Sequence, residues 1–503
     1  MRPSLFLLAA ALCIACQPVR YEIETPVGAK TTLITNVAIL DGSGEKATPG
    51  SVRIADAIIV GVGELSPRPG EPTIDGGGLV LAPGFIDTHS HADRGLRAGS
   101  DGLGALSQGI TTVVVGQDGS SEFPIEKFFE RFETGSPLNV ASYVGHGTLR
   151  SRVMGRDYKR EARVDEIQKI SILLEEELRA GALGMSTGLE YDPGIYASKN
   201  EVLQLATRAG SYASHIRSED RAFWDAIDEV VEIGRRTRAP VHISHMKLAM
   251  TSIWGKSSRL INTLNSARRR RIDISADVYP YRYWQSDLTV LFPERDFANR
   301  AAAEFALREV AQADSITLTS FGANPMYEGK TLAQIARMRE SDPASTLMAL
   351  IQESEAARAS GRGSQTIIAT SMTEADIEAI LKWPFANICT DGELDGKHPR
   401  GFGAFTRVLG RYVRERHVIT FPEAIRKMTS LAAANAGIQR RGWIDPGMFA
   451  DLVLLDTNTV ADRATPEDPH AISTGIAKVW VNGVLAYDNG HVTGARAGKV
   501  IRY

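Results

Sequence analysis

The chain carries two hydrophobic patterns. Its middle holds eight short apolar, β-prone runs, at 84–89, 110–116, 139–145, 182–187, 211–215, 240–245, 272–277 and 385–390. Between most of them lie helical patterns, such as 165–180 (DEIQKISILLEEELRA), 220–237 and 257–271. Strand–helix alternation repeated eight times predicts an α/β fold, a parallel (β/α)8 TIM-like barrel. The flanks read differently. Residues 31–83 give short strands broken by Gly, Pro and Asp, in TTLITNVAIL, SVRIADAIIVGVG and GGLVLAPG. The same style returns in ADLVLLD, AKVWVNGVLAYDNG and KVIRY near the end. The two ends are expected to form one small β-sandwich domain, 31–83 plus 435–503, beside a barrel over 84–434.

One stretch interrupts the rhythm. About 85 residues, from 283 to 368, separate the seventh and eighth strand runs. That is too long for a loop without structure of its own. Helical patterns at 299–313 and 332–340 predict an inserted lid or subdomain, about 284–367, at the barrel mouth. The basic run 268–271 suits a helix C-terminus, where cations meet the negative end of the dipole.

The leader MRPSLFLLAAALCIAC has a charged start and an apolar run too short to span a bilayer. It reads as a secretory signal over 1–16, followed by a polar tether over 17–30. The ending Cys13-Ile14-Ala15-Cys16 resembles a bacterial lipoprotein signal, although Cys13 stands where Leu is usual. Lipidation of Cys16 and an address in the bacterial envelope are therefore expected, with ordinary cleavage to a periplasmic protein as the alternative. Two of the three cysteines lie in this leader, so Cys389 is the sole thiol of the body. A disulfide framework is excluded.

Composition narrows the partners. The 503 residues include 57 Lys+Arg and 60 Asp+Glu, a net charge of -3. No broad basic surface follows, which argues against nucleic acid. With 43% hydrophobic and 23% charged residues, the chain is neither disordered nor fibrous. A small molecule is the expected partner.

Barrel enzymes carry reactive groups at the C-terminal ends of their strands. Here the first strand run ends in His89-Ser90-His91, and Asp118 follows the second. His146 follows the third and Tyr191 the fourth. His215 ends the fifth and His245 the sixth, with Lys247 just beyond. Tyr279 and Tyr281 follow the seventh, and Asp391 the eighth. His89 and His91, two apart on an extended strand, share one face. Two imidazoles on one face suit a zinc-type metal, and His215, His245 and Asp391 strengthen that reading. Asp391 would ligate metal or accept a proton. His242, three residues from His245, is expected to face the helices and not the metal.

The segments GFIDTHSHAD, GHGTLR, GALGMSTGLEYDPG, ISHMK, ADVYPY, TDGE, HPRGFGAFTRVLGRYVRE and GWIDPGMFADLVLLD resemble the amidohydrolase superfamily, and within it the N-acyl-D-amino-acid deacylases (D-aminoacylases). The resemblance implies the barrel and β domain above. It implies zinc-dependent hydrolysis of the amide of N-acyl-D-amino acids, by one or two ions. One ion would be held by Asp118, His215 and His245, and a weaker site formed by His89, His91 and Asp391. Asp391 would also move the proton. Lys247, Tyr279 and Arg400 would clamp the substrate carboxylate. Tyr191, with His146, would stabilise the oxyanion. One position departs from the family pattern. Where its second strand ends V-V-G-N-C-G, this chain reads Val114-Val115-Gly116-Gln117-Asp118-Gly119, so a carboxylate replaces the thiolate. As a harder ligand it favours two occupied sites or another metal. The competing readings are an Xaa-D-Xaa dipeptidase, a hydantoinase- or dihydroorotase-like ring opener, and a silent binding protein.

Overall fold

The structure, a computed structural model, describes residues 21–96, 99–361 and 365–503. The leader and Cys16 lie outside the described residues.

Eight parallel strands build the barrel. They are β1 (Phe85–Asp87), β2 (Ile110–Val115), β3 (Asn139–Ser142, continued by Val144–Gly145), β4 (Met185–Gly188), β5 (Tyr212–His215), β6 (Val241–Ile243), β7 (Ile274–Val278) and β8 (Ala386–Ile388). Each pairs in parallel with the next. The ring closes where the Asp391 N–H donates to the His89 carbonyl at 2.8 Å. The strand residues are buried on both sides, which explains their near-continuous runs of Val, Ile and Ala. Helices Val164–Arg179, Phe223–Thr237 and Ser257–Arg269 pack outside them, close to the predicted spans. Arg268 and Arg269 occupy the last turn of the third helix, and Arg268 stacks over the Phe385 ring at 3.5 Å.

Both chain ends enter one ten-stranded sheet, joined where Val80–Pro83 pairs antiparallel with Leu452–Leu455. Ile34, Val52, Leu81, Leu452 and Trp480 belong to its separate apolar core. Asp451 ties this domain to the barrel. Its backbone carbonyl accepts from Gly84 N–H, and its carboxylate accepts from Asn139 and pairs with Arg441.

Two expectations at the ends need correction. Part of the tether is structured, since Tyr21–Glu22 pairs with the edge strand Ile58–Gly63 and Glu22 pairs with Arg53 and Arg68. The KVIRY tail does not join the β domain. Val140 N–H donates to Lys499 and Ile501 N–H to Val140, so the tail lies along β3. Val140 pairs with Val113 of β2 on one side, while pairing of β3 with β4 begins only at Val144, so the tail takes the edge of β3 left open at Val140.

The 85-residue interruption is a compact subdomain. A three-stranded antiparallel sheet of Tyr283–Ser286, Ile316–Phe321 and Gln365–Thr370 carries helices Leu332–Met338 and Pro343–Ala359. Its residues Trp284, Gln285 and Ser286 face the barrel mouth.

Candidate active site

The strand ends converge on a cavity of about 850 Å³. Its lining includes His91, Asp118, Tyr191, His215, His245, Lys247, Tyr279, Asp391 and Arg400, and His89 is buried in contact with this group. Three non-glycine residues here hold left-handed backbone angles: Asp118 (φ 53°), His245 (φ 36°) and Asp391 (φ 50°). Such angles are uncommon outside glycine and turn the chain sharply at each strand end. At β2 the turn also needs close approach. A Cβ on Gly188 would stand 2.1 Å from the Asp118 carbonyl oxygen.

Asp118 sits between two groups of donors. Its Oδ2 is 3.4 Å from His91 Nε2, and its Oδ1 is 3.2 Å from His245 Nε2 and 3.5 Å from His89 Nε2. On one side, Asp391 Oδ1 is 3.3 Å from His91 Nε2 and 3.6 Å from His89 Nε2. On the other, His215 Nδ1 is 3.0 Å from His245 Nε2. The ligand atoms of His89, His91, Asp118 and Asp391 lie within 4.8 Å of one another, as do those of Asp118, His215 and His245. Both ring nitrogens of His89 are buried without a hydrogen-bond partner. Imidazoles and carboxylates in this density, with an unpaired buried nitrogen among them, fit divalent zinc.

The charges agree. Burial opposes ionisation of Asp118, yet His89 and His245 hold its carboxyl well below the usual range. Asp391 is likewise held low against burial, chiefly by Arg400 and His245. His91 is raised to about 9 against burial and Arg94, through Asp118 and Asp391. His245 is raised to about 10 against burial and Lys247, through Asp118, Asp391 and Glu219. Burial lowers His89.

The far wall is a set of unsatisfied donors. Arg400 Nη1 lies 2.6 Å from Asp391 Oδ2 as an ion pair, but its buried Nε–H has no acceptor. The Tyr279 hydroxyl is also buried without a partner. The Arg400 guanidinium lies 4.9 Å from the Tyr279 ring, and Lys247 Nζ lies 5.7 Å from it. Tyr191 packs on His215 at 4.5 Å between ring centres. Burial lifts the Tyr191 and Tyr279 hydroxyls well above their ordinary pKa, so both remain donors.

Comparison with known proteins matches this arrangement. Residues 326–487 match the amidohydrolase family model. The chain is 35% identical to the N-acyl-D-glutamate deacylase of Alcaligenes xylosoxydans xylosoxydans, over 92% of this chain and 95% of that one. The crystal structure of N-acyl-D-glutamate deacylase from Bordetella bronchiseptica, with zinc and a phosphonate inhibitor, is 33% identical. It superposes with a TM-score of 0.83 over 94% of this chain and all (100%) of that one. The chain belongs to the N-acyl-D-amino-acid deacylase family. A crystal structure of D-aminoacylase is similar at 31% identity and a TM-score of 0.82, covering 94% and 99%. As a deacylase-family member, this protein is a metal-dependent amidohydrolase.

Two histidines are not where the sequence put them. His146 does not line the cavity. It starts a helix, is fully buried, and bonds Glu201 at 2.9 Å beside Arg150. It is part of an internal ion network and is removed from the catalytic set. His242 does not face the helices. Its Nε2 is 2.9 Å from Asp277 Oδ2, an oxygen that also lies 3.9 Å from His89 Nδ1. Strand alternation does not extend to His245, because β6 ends at Ile243 and His245 adopts a left-handed angle. Tyr281 points away, with its hydroxyl on the Pro399 carbonyl at 3.5 Å. Cys389 is buried and donates to Asp277.

Two carboxylates of this deacylase were missed. Glu190 Oε2 lies 3.1 Å from His215 Nε2, and Glu219 Oε1 lies 3.2 Å from His245 Nδ1. Each faces the ring nitrogen turned away from Asp118, where outer carboxylates commonly orient metal-binding histidines. Glu190 stands next to Tyr191 in STGLEY, but Glu219 has no local signal beyond lying four residues after His215.

Proposed function

We propose that this protein hydrolyses the amide bond of N-acyl-D-amino acids, releasing a carboxylate and a free D-amino acid. One observation carries the reading: a two-part histidine–carboxylate cluster shares a cavity with the buried, unsatisfied donors of Arg400 and Tyr279. The α-carboxylate of such a substrate satisfies those donors, since guanidinium offers parallel hydrogen bonds to two oxygens. A simple hydantoin has no α-carboxylate, which disfavours the ring-opening alternative.

Asp118, His215 and His245 would hold one zinc ion, and His89, His91, Asp118 and Asp391 a second. When bound, zinc supplies Lewis acidity, polarising a carbonyl and acidifying water. Lys247, Tyr279 and Arg400 hold the substrate by its carboxylate, which fixes the scissile amide over Asp118 and Asp391. Asp391, ionised, accepts the proton of the attacking water and returns it to the leaving amine. The Tyr191 hydroxyl donates to the oxygen that gains charge. Asp391→Asn tests this: assayed at saturating zinc, amine release should fall by about 100-fold or more. Unchanged turnover would refute the assignment.

The leader supports export and a lipid anchor at Cys16. Among the described residues no helix is long and apolar enough to cross a membrane. Loss of the protein from the membrane fraction in a Cys16→Ser variant tests the anchor; equal membrane recovery would exclude it.

A further inference from the structure

Glu219 touches both halves of the site. It lies in the loop after β5, where its N–H donates to Glu190 Oε1 at 3.0 Å. Its Oε1 is 2.6 Å from Lys247 Nζ and 3.2 Å from His245 Nδ1. Lys247 Nζ is itself 2.7 Å from His245 Nδ1. A ligand histidine, a substrate lysine and one carboxylate oxygen thus form a tight triangle. We infer that Glu219 is a positioning residue that fixes the tautomer of His245 against Lys247, and so couples the metal ligand to the substrate clamp.

His245 Nε2 faces Asp118 and His215, so it is the nitrogen that offers a lone pair to metal. The form of His245 that binds metal is neutral, with its lone pair on Nε2 and its proton on Nδ1. That Nδ1–H needs an acceptor. Lys247 supplies none, because an ammonium has three donors and no lone pair. Glu219 Oε1 is the acceptor within reach. Without it, the ammonium 2.7 Å away favours the opposite tautomer, with Nδ1 accepting and Nε2 protonated. That tautomer leaves no lone pair on Nε2, the nitrogen that faces Asp118 and His215. The same carboxylate draws the Lys247 charge away from the ring. When a substrate carboxylate takes Lys247, Glu219 is left wholly to His245, which links the two sites. Only this last step rests on the proposed deacylase function.

The test is zinc affinity of the purified protein, measured by chelator competition without substrate, so failure of the substrate assignment leaves it intact. Glu219→Ala should weaken zinc binding by about 10- to 100-fold, the usual loss for an outer partner. Adding Lys247→Met to it removes the competing donor and should restore most of that loss. Glu219→Gln, which keeps one acceptor, should lose less. A merely structural role of Glu219 would not be rescued by changing Lys247. If Glu219→Ala does not fold, Glu219→Gln with and without Lys247→Met makes the same comparison. Wild-type affinity in Glu219→Ala, or no recovery in either double variant, would overturn the inference.

Discussion

Arg400 and Asp391 form a buried ion pair, with Nη1 2.6 Å from Oδ2, which joins the residue proposed to clamp the substrate carboxylate to the one proposed to carry the proton. The guanidinium therefore does two things. It holds Asp391 ionised, and it lines the cavity. Removing it should change both binding and pH behaviour. Arg400→Met should raise KM by about 10- to 100-fold, equivalent to the roughly 1.5–3 kcal/mol of a hydrogen bond to a charged group. The sign of the pH effect follows from the charge. Arg400 depresses the Asp391 pKa, so its loss raises that pKa, and the acid limb of kcat/KM moves to higher pH. A rise in KM with an unmoved acid limb would separate Arg400 from Asp391.

Asp118 belongs to both groups of candidate ligands. Asp118→Ala should reduce zinc bound per chain, read by metal analysis after gel filtration, and weaken what remains by more than about 100-fold, since even outer partners are worth 10- to 100-fold. Asp118→Cys restores the family residue. Its single sulfur should serve His215 and His245 while leaving His89, His91 and Asp391 with one anion fewer, so it should hold zinc in one group only. Two equivalents of zinc in Asp118→Ala would show that the carboxylate is a turn residue.

Metal and protons compete here. His91 is raised to about 9 and His245 to about 10, so both are protonated in the metal-free protein at pH 7. Zinc needs them neutral. Calorimetry of zinc binding in buffers of different ionisation enthalpy should show net proton release at pH 7. The linkage to stability has a definite sign. These pKa values lie above the unfolded value of about 6.5, so their stabilising contribution is complete below that pH. It is lost as pH rises through 9 to 10. Zinc-loaded protein should not show this loss. Binding without proton release would contradict the charge assignment.

The C-terminal tail stabilises the barrel wall. Removing residues 498–503 deletes the hydrogen bonds that Lys499, Ile501 and Tyr503 make with Val140 and Gly181. At about 1 kcal/mol for each such bond, the truncated protein should melt several degrees lower, with its zinc content unchanged. An unchanged melting temperature would show that the tail adds nothing to the seam.

The barrel was legible because its strands are buried on both faces and keep apolar runs long enough to read. The metal cluster was legible because barrel strands end at one mouth, so order along the chain stands in for proximity. The failures have a common cause. His242 was assigned by alternation, which stops where the backbone turns left-handed. His146 follows a strand but starts a helix directly, so its ring enters the Glu201–Arg150 network and not the mouth. Glu219 acts through contacts between two loops, which no local pattern encodes. KVIRY is β-prone, which predicts a place in the β domain, but the edge it meets is the side of β3 left open at Val140.

Amine release by zinc-loaded protein should be measured from N-acetyl-D-amino acids beside their L enantiomers and matching dipeptides. Release is expected from the D series, lost on zinc removal and regained on its return. Release from L substrates or dipeptides alone, or release that survives full removal of metal, would contradict it.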